Sequence, residues 1–287
     1  MTTLSSKSAK TLSIILLLIP AMVILLSVFI IPMLNILMIS FQDKQQQFSL
    51  ANYLLLFQDP FYMQVLWKTI KLSLWTVACT ILLGYPVAMY MSQASGKMRG
   101  IITLLILSPH LISVVIRNFG WVVILGPKGW VNEMLLKLGI IQEPLRLLYN
   151  ELGVIIGLTD AFIAYMVIAI ATSLYTIDSS LYKAASILGA SRFQVFKTVT
   201  LPLSLPGLFA GTILVFSLSM SAFVTPALMG GTSVKVIPVL AYDQIMATLN
   251  WPLGAALAFL LLGSTVVLVT VFTRLFETKK YKEVFAS

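Results

Sequence analysis

The chain has 287 residues, 59% of them hydrophobic and only 10% charged, whereas soluble domains carry about 25% charged residues. That excludes a water-soluble globule and implies an integral membrane protein. The formal charge of +9 does not mark a nucleic-acid binder, because the bases are scattered in short segments between apolar runs, without clustered aromatics.

In chain order, the first apolar run, 12–40, follows Lys7 and Lys10. It outlasts the ~7–15 residue core of a signal peptide and has no small-residue cleavage site, so it reads as a retained span. Further runs at 69–91, 101–125, 152–175, 205–229 and 253–273 bring the number to six, each near the ~20 helical residues that cross a hydrocarbon core. Apolarity is continuous rather than alternating, which predicts helices and not barrel strands. The expected fold is an all-α membrane protein of about six transmembrane helices. No Gly/Ser linker or charge-rich tail divides it, so 1–287 reads as one domain. Cys79 is the only cysteine and His110 the only histidine, which leaves no disulfide and no metal-ligand cluster.

Lys/Arg placement sets the orientation. With both termini cytoplasmic, the inner side holds 11 bases: Lys7, Lys10, Lys97, Arg99, Lys183, Arg192, Lys197, Arg274, Lys279, Lys280 and Lys282. The outer side holds 7: Lys44, Lys68, Lys71, Lys128, Lys137, Arg146 and Lys235. The long inner loop then lies between spans 4 and 5, about 176–204.

Arg117 and Asp160 are the formal charges well inside the runs, where a charge costs at least ~2.5–3.5 kcal/mol on insertion scales. Each lies eight residues from the outer end of its span, hence ~12 Å deep. One reading is a structural ion pair. The other is a translocation path on which Asp160 attracts a cation, with Trp121 and Tyr165 offering aromatic faces. Pro86, Pro109 and Pro226 interrupt spans 2, 3 and 5, with Gly84 beside the first; they are candidate hinges or fixed kinks.

In the inner loop, 179–188 has good helix formers, with Asp178 or Ser179 as N-cap and Gly189 as stop. A second helical segment, 192–200, leads to Pro202 and Pro206. The spacing Lys183-Ala184-Ala185-x-x-x-Gly189, then nine residues, then Val199-x-Leu201-Pro202, resembles the EAA loop of permease subunits of binding-protein-dependent ABC importers. Lys183 stands where that family has Glu, and Val199 where Ile is common. The resemblance extends toward the spermidine/putrescine-type branch through Asn52-Tyr53, Asp59-Pro60, Gly84-Tyr85-Pro86-Val87-Ala88, Arg117 with Trp121, Gly129 and Asn132, then Phe223-Val224-Thr225-Pro226 and Trp251-Pro252-Leu253-Gly254. Span 4 departs from it, with Ala164-Tyr165-Met166 where a Pro-Phe pair is usual.

The resemblance implies a coupling helix seated in a cleft of an ATPase subunit, carried here by Lys183, Ala184, Ala185, Gly189, Leu201 and Pro202. It implies a multi-pass protein of the bacterial inner membrane that forms half of a translocation path with a second permease subunit. An ABC ATPase dimer and a periplasmic or lipid-anchored solute-binding protein would complete the complex, and the cargo would be a small, polyamine-like cation. The chain itself would be no enzyme and would bind no cofactor, ATP-Mg being held by the partner; no G-x-x-x-x-G-K-[ST] phosphate loop occurs in it. The alternative, an ATP-independent secondary transporter or channel, calls for inverted repeats and more buried titratable groups.

Overall fold

The computed structural model describes residues 18–20, 22–43 and 45–276, with 275 and 276 as backbone only. Lys7, Lys10, Lys44, Lys279, Lys280, Lys282, and the start of the first run lie outside the described residues. The described residues are mostly helical, and their one β pairing is an isolated antiparallel bridge, Gln42 to Phe48.

Among the described residues five helices are long and apolar enough to cross a membrane. They are α1 (Leu18–Ser40), α3 (Pro60–Gln93), α7 (Glu151–Tyr175), α9 (Arg192–Met220) and α11 (Trp251–Phe276). Between them stand α2 (Ala51–Gln58), α4 (Gly96–Leu107), α5 (Val114–Leu125), α6 (Trp130–Lys137), α8 (Ser179–Ile187) and α10 (Ile237–Met246). The stretches Gly96–Leu111 and Val114–Lys137 form a pair bent by 95°, long and apolar enough together for a sixth span.

The third span, expected at 101–125 with a candidate hinge or kink at Pro109, is broken into this bent pair just after that proline. Pro109 has no N–H to donate to Leu105, and its ring crowds the preceding turn. The Ser108 hydroxyl donates to the Leu105 carbonyl instead (3.1 Å). The chain then tightens into a 3-10 turn, Ser108–Leu111, and becomes extended at Ile112 (φ −94°, ψ 139°). Span 5 is also displaced from the expected 205–229. It starts at Arg192, absorbs the 192–200 segment, and ends at Met220; the chain resumes as a wide turn at Pro226–Gly230. A straight continuation would set the Pro226 ring against the carbonyl four residues earlier.

Other prolines are accommodated without a break. The Ile31 N–H reaches back five residues to Leu26, and the Leu201 N–H to Phe196. In both cases the next residue is proline, Pro32 or Pro202, and the wide turn makes room for its ring. Pro86 and Pro206 lie inside continuous helices.

The described residues form two compact units. The larger runs over Phe61–Leu240 and from Leu260 onward. Its core joins α3, α7, α9 and part of α11 through Val77, Ala88, Met166, Ile170, Phe216 and Met220, with Phe272 edge-on to Phe216 at 5.3 Å. Helix α9 approaches α7 on Gly207 and Gly211, a small-xxx-small pair. A methyl group at 207 would fall 2.2 Å from the Ala169 carbonyl oxygen, and one at 211 would fall 2.7 Å from Met166 Sδ. The outward faces are apolar, with Leu82, Leu104, Val123 and Val266 exposed, as a lipid-facing surface requires.

Contacts in this unit fix which helix ends lie together. Lys71 meets Glu151 at 2.7 Å, and the Ile237 N–H donates to Thr69 Oγ1 at 3.0 Å; the starts of α3, α7 and α10 therefore share one end. At the other end, the Arg99 guanidinium lies over the Tyr175 ring (4.2 Å), and the Tyr85 and Ser204 hydroxyls meet at 2.7 Å. The chain from Arg99 to Glu151 thus traverses the length of α7, and the bent third span crosses. The loop after α7 leaves at the end that carries the short connection before α4.

The smaller unit comprises the described residues up to Pro60 together with Ala241–Phe259. Phe41 stacks on Phe48 and packs with Tyr53. The Tyr53 hydroxyl meets Ser40 Oγ at 2.8 Å, and the Asn52 amide donates to the Gln42 carbonyl at 2.7 Å. These bonds hold the 42–50 connection against α2.

Candidate functional site

The loop after α7 is built by local capping. The Asp178 carboxylate accepts the Ser180 N–H at 2.8 Å and so serves as the N-cap of α8. That hydrogen bond holds its pKa below the ordinary value. At the C-terminal end Gly189 takes φ +74°, a left-handed conformation that glycine adopts at no steric cost. The Gly189 N–H then reaches the Ser186 carbonyl and the Ala190 N–H the Ala185 carbonyl, both at 3.0 Å, closing α8 with the paired bonds of a Schellman cap. Ser191 and Gln194 form a reciprocal capping box, which opens α9 at once.

Lys183 and Ala184 are exposed on α8, Ala185 is half-buried, and Leu201 and Pro202 are half-buried in α9. The most prominent feature lies beyond these expected residues. Ile187 and Leu188, the last residues before Gly189, are each 86% exposed, and Phe193 is 73% exposed. Exposed apolar residues grouped at one end of a capped helix are of the kind that mark protein or membrane contact surfaces. The root of the loop is tied down by Arg99 over Tyr175, by Tyr85 with Ser204, and by Tyr85 edge-on to Phe196 at 5.8 Å.

A second polar cluster lies where the bent third span crosses α7. Arg117 Nε is 3.1 Å from Asp160 Oδ2, with side chains 14% and 24% exposed. The Arg117 guanidinium also donates through Nη1 to the Pro109 carbonyl (2.9 Å), which accepts the Ile112 N–H as well (3.2 Å), and so braces the helix break. His110 Nε2 lies 3.0 Å from the Ala161 carbonyl. A carbonyl only accepts, so Nε2 carries the proton. Tyr165 stands edge-on to His110 at 5.3 Å. The structure therefore brings Arg117, Asp160 and Tyr165 together through residues 109–110. Trp121 instead packs beside the cluster of Leu125, Leu148 and Met229.

Of the candidate hinges, Pro109 is at the 95° bend and Pro226 begins the wide turn after the α9 break. Pro86 is inside unbroken α3, and Gly84 packs against Val167 and Met166 of α7. Asn118, which sequence reasoning passed over, is buried; its amide donates to the Val114 carbonyl and to Thr225 Oγ1 (3.2 Å). Among the described residues no three His, Cys, Asp or Glu side chains converge as a metal site.

Residues 80–280 match the family described as the binding-protein-dependent transport system inner membrane component. The chain belongs to this family. It is therefore a multi-pass permease subunit of an ABC importer in the bacterial inner membrane. It is 34% identical over 252 residues to the spermidine/putrescine transport system permease protein PotB of Haemophilus influenzae, covering 85% of this chain and 87% of that protein. To the PotB of Escherichia coli it is 35% identical over 209 residues, covering 73% and 76%. A chain of a bacterial alginate ABC transporter, solved in complex with an alginate pentasaccharide-bound periplasmic protein, shares the fold at a TM-score of 0.79 and 20% identity, covering 95% of this chain and 96% of that one.

Proposed function

We propose that this permease forms half of the path for a small organic cation of the polyamine class and takes its driving force from an ATP-hydrolysing partner docked on α8. The observation that carries the docking assignment is the exposed Ile187–Leu188 tip beyond a fully capped helix. It supplies an apolar anchor on a short rigid element, which is how few residues give most of an interface's binding energy. The EAA-like spacing of Ala184, Ala185, Gly189, Leu201 and Pro202 supports the same assignment. Lys183 replaces an acid, so its contact with the partner has the opposite charge. ATP-Mg belongs to that partner, and the permease binds no cofactor.

The complex contains a dimer of the ATPase, a second permease subunit and a solute-binding protein that delivers cargo at the outer face. The charge distribution supports an orientation with both termini of a single permease domain in the cytoplasm. The names of the PotB relatives support a polyamine cargo, and the Asp160–Tyr165–His110 cluster supplies chemistry for an ammonium group. In this account Asp160, held by Arg117, faces the path with Tyr165, and Trp121 supports the outer end of α5. The bends at Pro109 and Pro226 are the places where the path changes shape, while Gly84 and Pro86 set the packing of α3.

The deciding experiment is spermidine uptake into proteoliposomes holding the permease pair, the ATPase and the binding protein. Uptake that needs ATP on the ATPase side and falls to background with an inactive ATPase is expected. Uptake that persists with the inactive ATPase would establish the secondary-transporter alternative.

A further inference from the structure

The smaller unit holds a cavity of about 710 Å³ that the path and the coupling loop do not use. One wall comes from the connection after α1, with Gln42, Asp43 and Gln46. The other comes from the turn between α10 and α11, with Gln244, Asn250 and Trp251. Its size is that of a small-molecule site. The lining combines one carboxylate, four side-chain amides and one indole, and among the described residues it includes no basic side chain.

Three observations make this more than a surface hollow. First, Asp43 is fixed: its Oδ1 accepts the Gln45 and Gln47 N–H groups at 2.8 and 3.0 Å, while Oδ2 accepts no hydrogen bond among the described residues. Second, the Trp251 ring is half exposed, and the Gln244 amide is held by the Thr248 hydroxyl at 3.0 Å. Third, each wall carries a non-glycine residue in the left-handed region, Gln46 at φ 63° and Leu249 at φ 54°. Such conformations cost of order 1–3 kcal/mol and concentrate at ligand clamps.

A fixed carboxylate, an aromatic face and amide oxygens are the groups that recognise an alkylammonium; among the described lining residues the one charge an anion would meet is that of Asp43. We infer that this cavity receives one amino end of a linear oligoamine before it enters the path. The inference rests on the polyamine reading above. Both walls belong to connections between spans 1 and 2 and between spans 5 and 6, which the charge-derived orientation puts at the outer face. The released cargo arrives there.

The test uses the full complex and spermidine as probe. Asp43→Asn removes the charge but keeps the oxygen that caps the 43–47 turn, so the loop is preserved. Trp251→Leu removes the aromatic face. Each variant is expected to raise the uptake KM about tenfold, the effect of ~1.4 kcal/mol, with the maximal rate and thermal stability kept. Equilibrium binding of labelled spermidine to the detergent-solubilised complex, without binding protein, should weaken in parallel. Wild-type KM and binding in both variants, alongside normal wild-type uptake, would overturn this site and leave the transport proposal standing. Absence of spermidine uptake by the wild type would overturn both.

Discussion

The tip of the loop after α7 and the crossing of spans 3 and 4 are both candidate working parts, and they are held by opposite means. The loop is made by its own neighbours in sequence: Asp178 caps α8, Gly189 closes it, and Ser191 with Gln194 opens α9. Its apolar residues are left facing outward. The crossing is made by residues far apart: Arg117 bonds to Pro109 and pairs with Asp160, and His110 reaches Ala161. Its polar groups face inward, where His110 Nδ1 has no hydrogen-bond partner among the described residues and Asp160 Oδ2 has only the ion pair with Arg117. A locally capped element keeps its shape while its surface stays available for a partner. A cross-braced polar junction is coupled to the bend it stabilises, so altering it alters the path.

The comparison breaks most visibly at the tip. Ile187→Asp with Leu188→Asp should abolish retention of the ATPase on purification and cut uptake roughly hundredfold, as loss of an interface hot spot does, while insertion and thermal stability stay unchanged. Retained ATPase and normal uptake would remove the docking role from this surface. At the crossing, Asp160→Asn should lower spermidine uptake on the order of tenfold without loss of ATPase retention. Arg117→Ala should lower uptake and also stability, by ~1–3 kcal/mol, because it leaves Asp160 without its ion-pair partner and the Pro109 carbonyl with the Ile112 N–H alone; thermal unfolding in detergent reads the difference. Equal stability of the two variants would show that Arg117 does not brace the bend.

Packing beneath both regions gives a third test. Gly207→Ala sets a methyl group against the Ala169 carbonyl oxygen, and should cost ~1–3 kcal/mol in the same unfolding assay with the tip still docking. The smallest effect concerns Asp178. Its pKa is lowered by the Ser180 hydrogen bond, so its support of α8 is present above the ordinary carboxylate value of about 4. That support is lost as pH falls through the lowered value. Hydrogen exchange of the α8 amides should therefore quicken in Asp178→Ala at neutral pH, and in the wild type only under acid. No change in the variant would mean that Gly189 alone holds the helix.

How much was legible in the sequence follows the same division. The capped α8, its Gly189 stop and the spans at 69–91, 152–175 and 253–273 depend on composition and near neighbours, and the sequence patterns locate them. The pairing of Arg117 with Asp160 was visible as equal depth in consecutive spans. Pro109 marked an interruption of span 3 but not its 95° size, which depends on the Ser108 hydroxyl and the Arg117 guanidinium reaching carbonyls at the break. The end of α9 at Met220 was missed because apolarity runs on past the break. Gly207 and Gly211 were readable as a GxxxG pair, but their use in packing on α7 requires the partner helix. The exposure of Ile187 and Leu188 is a tertiary fact: an apolar pair in a loop reads equally as buried until its surroundings are known.

The most direct test of the account places a photo-crosslinking phenylalanine analogue at position 188 and, separately, at position 165 in the assembled complex. The account predicts an adduct with the ATP-hydrolysing subunit from position 188 and none from position 165. An adduct from position 165, or none from position 188 in a complex that transports normally, would contradict it.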